Sequence, residues 1–140
     1  MRKTIDFLLN DWLGVVALAG RARYSEHSRE TFESVLDTCQ RIAADKFAPF
    51  NRLVDVQEPR LEDGMVVLPQ CAYDAARAYV DSGMLAATQD YDVGGMQLPY
   101  VVELAANAFF AKAGVGLGVG GMLTVGNANL LMAHGTPAQK

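Results

Sequence analysis

Residues 28–47 read SRETFESVLDTCQRIAADKF, and the spacing of their apolar positions decides the fold class. Phe32, Val35, Leu36, Cys39, Ile42, Ala43 and Phe47 recur at three- and four-residue intervals, which puts them on one stripe of an α-helix. Ser28 stands where an N-cap belongs, and Glu30 behind it adds negative charge to the first turn, where the helix dipole favours it. The stripe is too narrow for a membrane span and wide enough for a bundle. A bend is expected near Pro49.

Toward the amino terminus Ile5, Leu8, Leu9, Trp12, Val15 and Val16 repeat this spacing and predict an amphipathic helix over 5–18. Met1-Arg2-Lys3 before an apolar run resembles a signal peptide only superficially, because Asp6 and Asp11 interrupt the run and no A-x-A site follows. Toward the carboxyl end, Pro59, Asp63-Gly64 and Met65-Val66-Val67-Leu68 predict a turn and one short extended connector. Pro69 can open a third helix through Ala72, Ala75, Ala76, Tyr79 and Val80 that stops at Gly83. A loop over 88–98, centred on Gly94-Gly95, leads to Pro99 and a fourth helix. That helix is expected to carry Val101, Val102, Ala105, Ala108 and Phe109 on one side, with Glu103, Asn107 and Lys112 on the other. The fold expected is all-α, a small helical bundle with one short extended connector. Residues 1–27 form a leading helix and linker, and 28–140 form the body.

The chain has 140 residues, 12 basic and 16 acidic side chains and a net charge of −4, with 51% hydrophobic and 20% charged residues. One domain of this length buries roughly two-thirds of its unfolded surface and needs no staple. It is too apolar for disorder and too acidic to bind nucleic acid by neutralising phosphates. Cys39 and Cys71 form no CxxC pair and have no histidine at ligand spacing, so no metal site is expected. Unstapled cysteines fit a reducing, cytoplasmic setting.

Residues 113–139 carry no formally charged side chain and hold Gly114, Gly116, Gly118, Gly120, Gly121 and Gly126. Helix propensity favours a loop by about 1 kcal/mol per glycine. A packed helix is the alternative, since glycine admits a close neighbour and Leu130-Leu131-Met132 before Gly135 makes a good helix end. Residues 116–121 also satisfy G-x-G-x-x-G, although a helical pattern rather than a strand precedes them. The stretch is long enough to cross a bilayer, but Asn127 and Asn129 interrupt it and no membrane span is expected. His27 and His134 have no visible catalytic partner. Asp6, Asp11, Glu30, Glu33, Asp37 and Glu103 are expected on solvated helix faces, and no nucleophile, base and orienting group assemble from local spacing.

Three segments carry a family resemblance: Asp92-Val93-Gly94-Gly95-Met96-Gln97-Leu98, Glu103-Leu104-Ala105 and Gly135-Thr136-Pro137-Ala138-Gln139-Lys140. In order and spacing they resemble the amino-terminal domain of acyl-CoA dehydrogenases. The helix over 32–47, Ala48-Pro49-Phe50-Asn51-Arg52, the Asp63-Gly64 turn and the leading helix look most like the subgroup of 3-methylmercaptopropionyl-CoA dehydrogenases. Val93, Gln97 and Val102 depart from the family's aromatic, glycine and first glutamate.

The resemblance implies a longer parent, a FAD-dependent oxidoreductase of fatty acid oxidation. Its catalytic carboxylate removes the α-proton of an acyl-CoA while the β-hydrogen leaves as hydride to FAD. In this family the FAD-binding domain and the carboxyl-terminal bundle follow the residues present here, so no catalytic or cofactor-binding residue is expected in this chain, which would be inactive alone. By the same resemblance the acyl-pocket wall falls on Gly118, Met122 and Gly126, with Leu123 nearby. The implied partners are the acyl-CoA substrate, an electron-transfer acceptor and further copies in a homo-oligomer. The alternative is a free-standing helical interaction module derived from such a domain.

Overall fold

Ser28 begins the central helix, as its position requires. The N–H of Thr31 donates to Ser28 Oγ at 3.3 Å while the N–H of Ser28 donates to Thr31 Oγ1 at 2.8 Å, a reciprocal capping box. The structure, a computed structural model, describes residues 1–117, 121 and 123–140 in full. In chain order its helices are α1 (Arg2–Asp6), α2 (Arg29–Ile42), α3 (Asn51–Val56), α4 (Gln70–Asp81) and α5 (Tyr100–His134), with a hairpin of β1 (Arg60–Glu62) and β2 (Met65–Val67) between α3 and α4. The all-α bundle is therefore as expected, and the connector consists of two strands. Asp63 (φ 51°) and Gly64 (φ 78°) are both left-handed, the geometry of the two-residue turn that matches strand twist.

The stripe on α2 forms the core as read. Phe32, Leu36, Cys39, Ala43 and Phe47 are buried, and they meet Val102, Ala106, Phe109 and Phe110 of α5 together with Ala75, Met84, Ala87 and Leu98. Each large apolar side chain so buried contributes about 1.5–3 kcal/mol. The helix widens into a π-turn over Ala43–Phe47, and a 3-10 turn, Ala48–Phe50, makes the bend around Pro49, which has no N–H to continue the ladder.

The leading segment departs from its expected form. The α1 helix runs into a π-helical stretch, Phe7–Trp12, and ends where Gly14 turns left-handed (φ 59°), before a 3-10 stretch, Val15–Gly20. Ile5, Leu9 and Val15 are buried, whereas Leu8, Trp12 and Val16 are exposed, Trp12 by 71%. The wider π-turn shifts the register of the stripe, so a 3.6-residue count assigns Trp12 to the wrong face. In α4 the inward positions are Cys71, Ala75 and Tyr79, while Ala76 and Val80 lie outside.

The end of the leading segment is tied to the 88–98 loop. Arg23 pairs with Asp90 and donates to Thr88 O at 3.0 Å, and Gln97 Nε2 donates to Arg23 O at 2.8 Å. His27 Nε2 donates to Met96 O (2.9 Å) and Gln97 O (3.1 Å), with its ring against Phe32. His27 is thus a structural clamp. Within the loop Gly95 N–H donates to Asp90 O, Gln97 N–H to Gln89 O and Leu98 N–H to Ala87 O, at 2.8 to 2.9 Å.

Candidate functional site

The α5 helix is two helical segments meeting at Gly114, whose φ of 177° and ψ of 86° interrupt the ladder. The packed-helix alternative for 113–134 is the one adopted, and the glycines explain how. A Cβ at Gly114 would stand 3.3 Å from Asn51 Oδ1, and one at Gly121 would stand 3.2 Å from Tyr79 Cε1, so both admit close neighbours. Gly116 and Gly126 have nothing within 4 Å of a built Cβ and face open space. The G-x-G-x-x-G match lies inside this helix and lacks the preceding strand that a dinucleotide turn requires. One window, Tyr100–Leu117, is long and apolar enough to cross a membrane (mean hydropathy 1.2), and 33% of it is buried within the domain.

The second segment of α5 presents an apolar face. Leu123 is 66% exposed, and Gly126 and Leu130 follow at helical spacing on the same side, all open. Of the four expected wall residues, Leu123 and Gly126 therefore share one accessible face. Gly118 and Met122 lie outside the described residues. Asn129, in the same segment, accepts a hydrogen bond from Gln89 and so joins it to the 88–98 loop. Beyond the helix, the N–H and hydroxyl of Thr136 both donate to Gln139 Oε1, at 2.9 and 3.0 Å, which closes the GT-x-x-Q turn on itself.

The first segment of α5 holds a polar group that sequence reasoning placed wrongly. Glu103 was expected on a solvated side of α5 and is only 5% exposed, with Oε2 lacking a hydrogen-bond partner among the described residues. Burial raises its pKa, opposed by a hydrogen bond from the Asn107 side chain. Tyr79 donates to Asn107 Oδ1 at 3.0 Å, and burial, with the nearby Glu103 carboxylate, pushes the phenol up to about 12. The signal for Glu103 was present in the sequence, since it lies at helical spacing from Pro99, Ala106 and Phe110, all buried. The surface carboxylates behave as read, with Glu33 on Arg29 at 2.8 Å and Asp37 and Asp6 on Arg2. Among the described residues no group of three potential metal ligands forms.

The Glu103 carboxyl sets a pH dependence. Because its folded pKa lies above the ordinary 4.5, the folded chain holds a proton that the unfolded chain releases, and stability falls as pH rises from about 4.5 until the folded group ionises. Glu103→Gln removes this slope. Urea unfolding midpoints measured across that range should decline with pH in the parent chain and stay level in the variant; parallel declines would assign the slope to another group.

This is a helical domain with an apolar helix face and no assembled acid, base and nucleophile among the described residues. In sequence it is similar to 3-methylmercaptopropionyl-CoA dehydrogenase of Ruegeria pomeroyi, with 33% identity over 132 residues. The match covers 94% of this chain and 22% of that protein, so the chain spans about a fifth of the length of the curated relative it matches. No model of a known protein family matches the chain. The resemblance to acyl-CoA dehydrogenases read from the sequence is therefore borne out by a relative of that kind.

Proposed function

We propose that this chain is the helical amino-terminal domain of a flavin-dependent acyl-CoA dehydrogenase and that the second segment of α5 forms part of its acyl-pocket wall. The observation carrying this reading is the open face of Leu123 and Gly126, on the positions that the family resemblance assigns to the wall. A missing side chain at Gly126 leaves volume for a ligand, and an apolar surface of this kind suits burial against an acyl chain or a following domain. The substrate would be an acyl-CoA, the setting cytoplasmic and the parent a homo-oligomer.

Among the described residues, the cavity beside the hairpin does not fit FAD. This cavity, of about 600 Å3 between α3 and the hairpin, is lined by Glu58 and by Arg60, whose guanidinium is engaged with Glu62 at 3.4 Å. That donor set opposes a pyrophosphate, which needs converging N–H donors and uncommitted cations. Alone the chain should not oxidise acyl-CoA.

The test uses the whole flavoenzyme that carries the chain. Gly126→Leu should raise KM for a long acyl-CoA about tenfold and leave a short one nearly unchanged, the cost of filling cavity volume. Equal effects on both substrates would remove the wall role. The alternative, a free-standing interaction module, would show instead as a chain that binds a partner helix through Leu123 and Leu130 in the absence of any flavoprotein.

A further inference from the structure

A second cavity lies where the chain's first two residues meet α2 and the first segment of α5. It measures about 370 Å3 and is lined by Met1, Arg2, Gln40, Ala43, Ala44, Ala48, Phe109, Lys112 and Ala113. Of the expected wall residues, the described ones, Leu123 and Gly126, do not line it.

Its chemistry is uneven in a way that selects a ligand. The interior is Phe109, Met1 and four alanines, which offer no polar atom from a side chain and leave room that larger residues would fill. Arg2 contributes no spare charge, because its guanidinium is shared between Asp6, with Nε at 2.7 Å, and Asp37. Lys112 is exposed and forms no ion pair among the described residues, and Gln40 makes no side-chain hydrogen bond among them. The cavity therefore combines an apolar interior with the ammonium of Lys112, the α-ammonium that Met1 carries and one free amide.

We propose that this cavity binds an aliphatic monocarboxylate, with its hydrocarbon tail among the alanines and Phe109 and its carboxylate on Lys112 and Gln40. Lys112, Arg2 and the Met1 α-ammonium stand against the Asp6 and Asp37 carboxylates, a balance of one positive charge that matches a single negative charge and disfavours a phosphate dianion. An alkylammonium would meet Lys112 as a like charge. The site depends on neither the Leu123 and Gly126 face nor a flavin, so it stands or falls separately from the proposed enzyme role.

Octanoate is the probe, titrated calorimetrically into the 140-residue chain, with octylamine and octanol as controls. Octanoate should bind saturably with one site, octylamine should not, and octanol should bind at least about tenfold more weakly than octanoate. Lys112→Glu should weaken octanoate by about tenfold or more, the loss of one charge-assisted contact, while Lys112→Arg retains it. Ala44→Phe, at an exposed lining position, should block octanoate without disturbing the core. Circular dichroism of each variant should match the parent. Equal binding of octanoate and octanol, full affinity in Lys112→Glu or no saturable octanoate binding would each overturn the proposal.

Discussion

Gly95→Ala unfolds the domain or lowers its unfolding free energy by about 3 kcal/mol or more, the range reserved for changes that force backbone apart. A Cβ on Gly95 would lie 2.1 Å from Gln89 O and 2.3 Å from its carbonyl carbon, with backbone on both sides of the contact and no flexible side chain to yield. Relief would require the 88–98 loop to open. That would cost the bonds from Gln97 N–H to Gln89 O and from Leu98 N–H to Ala87 O, and Leu98 is itself in the core. The adjacent Gly94→Ala is the control. Gly94 has φ 83° and open space around a built Cβ, so it should lose only the left-handed penalty of about 1–2 kcal/mol. Urea titrations followed by helical circular dichroism separate the two, and equal losses would show that conformation rather than space governs Gly95.

Phe110→Ala should cost about 3–5 kcal/mol, the usual range for truncating a buried aromatic. The ring is 4% exposed and lies between Phe47, at 4.9 Å between centroids, and Tyr79, at 5.1 Å with an interplanar angle of 80°. It joins α5 to α4 and to the π-turn that extends α2, and edge-to-face pairs add about 0.5–1.5 kcal/mol beyond area alone. Phe110→Leu keeps most of the volume and should cost clearly less. Phe7→Ala, on an exposed ring, should cost almost nothing. A small loss in Phe110→Ala would mean that the cavity collapses or that the three-helix contact is loose.

The α2 stripe was legible because periodicity, the Ser28 cap and Pro49 all point to one helix with one bend, and tertiary packing agrees with each. Trp12 was misassigned because a π-turn changes the period without any local residue that marks it, and the helix expected over 5–18 runs through Gly14, where the chain turns left-handed. Glu103 was misassigned for a different reason. A carboxylate on the apolar phase is normally moved to the solvated side by the reader, yet Val102, Ala106 and Phe110 fix the face and carry it inside. The glycine-rich half of α5 stayed ambiguous because propensity argues against a helix, and the contacts that offset that cost, Tyr79 at Gly121 and Asn51 at Gly114, come from 42 and 63 residues earlier in the chain. The wall residues could be located only through resemblance, since an exposed leucine and an exposed glycine have no chemical signature of their own.

The clamp formed by Arg23 and His27 also orders events at the ribosome. These residues find their partners at Thr88, Asp90, Met96 and Gln97, so although Arg2 can meet Asp37 earlier, the end of the leading segment cannot be clamped until nearly the whole loop has been synthesised. At roughly 5–20 residues per second this leaves several seconds in which Ile5, Leu9 and Val15, later buried, remain exposed beside Phe7 and Trp12 on the nascent chain. During translation the leading segment is therefore a natural substrate for a chaperone, and its capture should end once residue 98 has emerged.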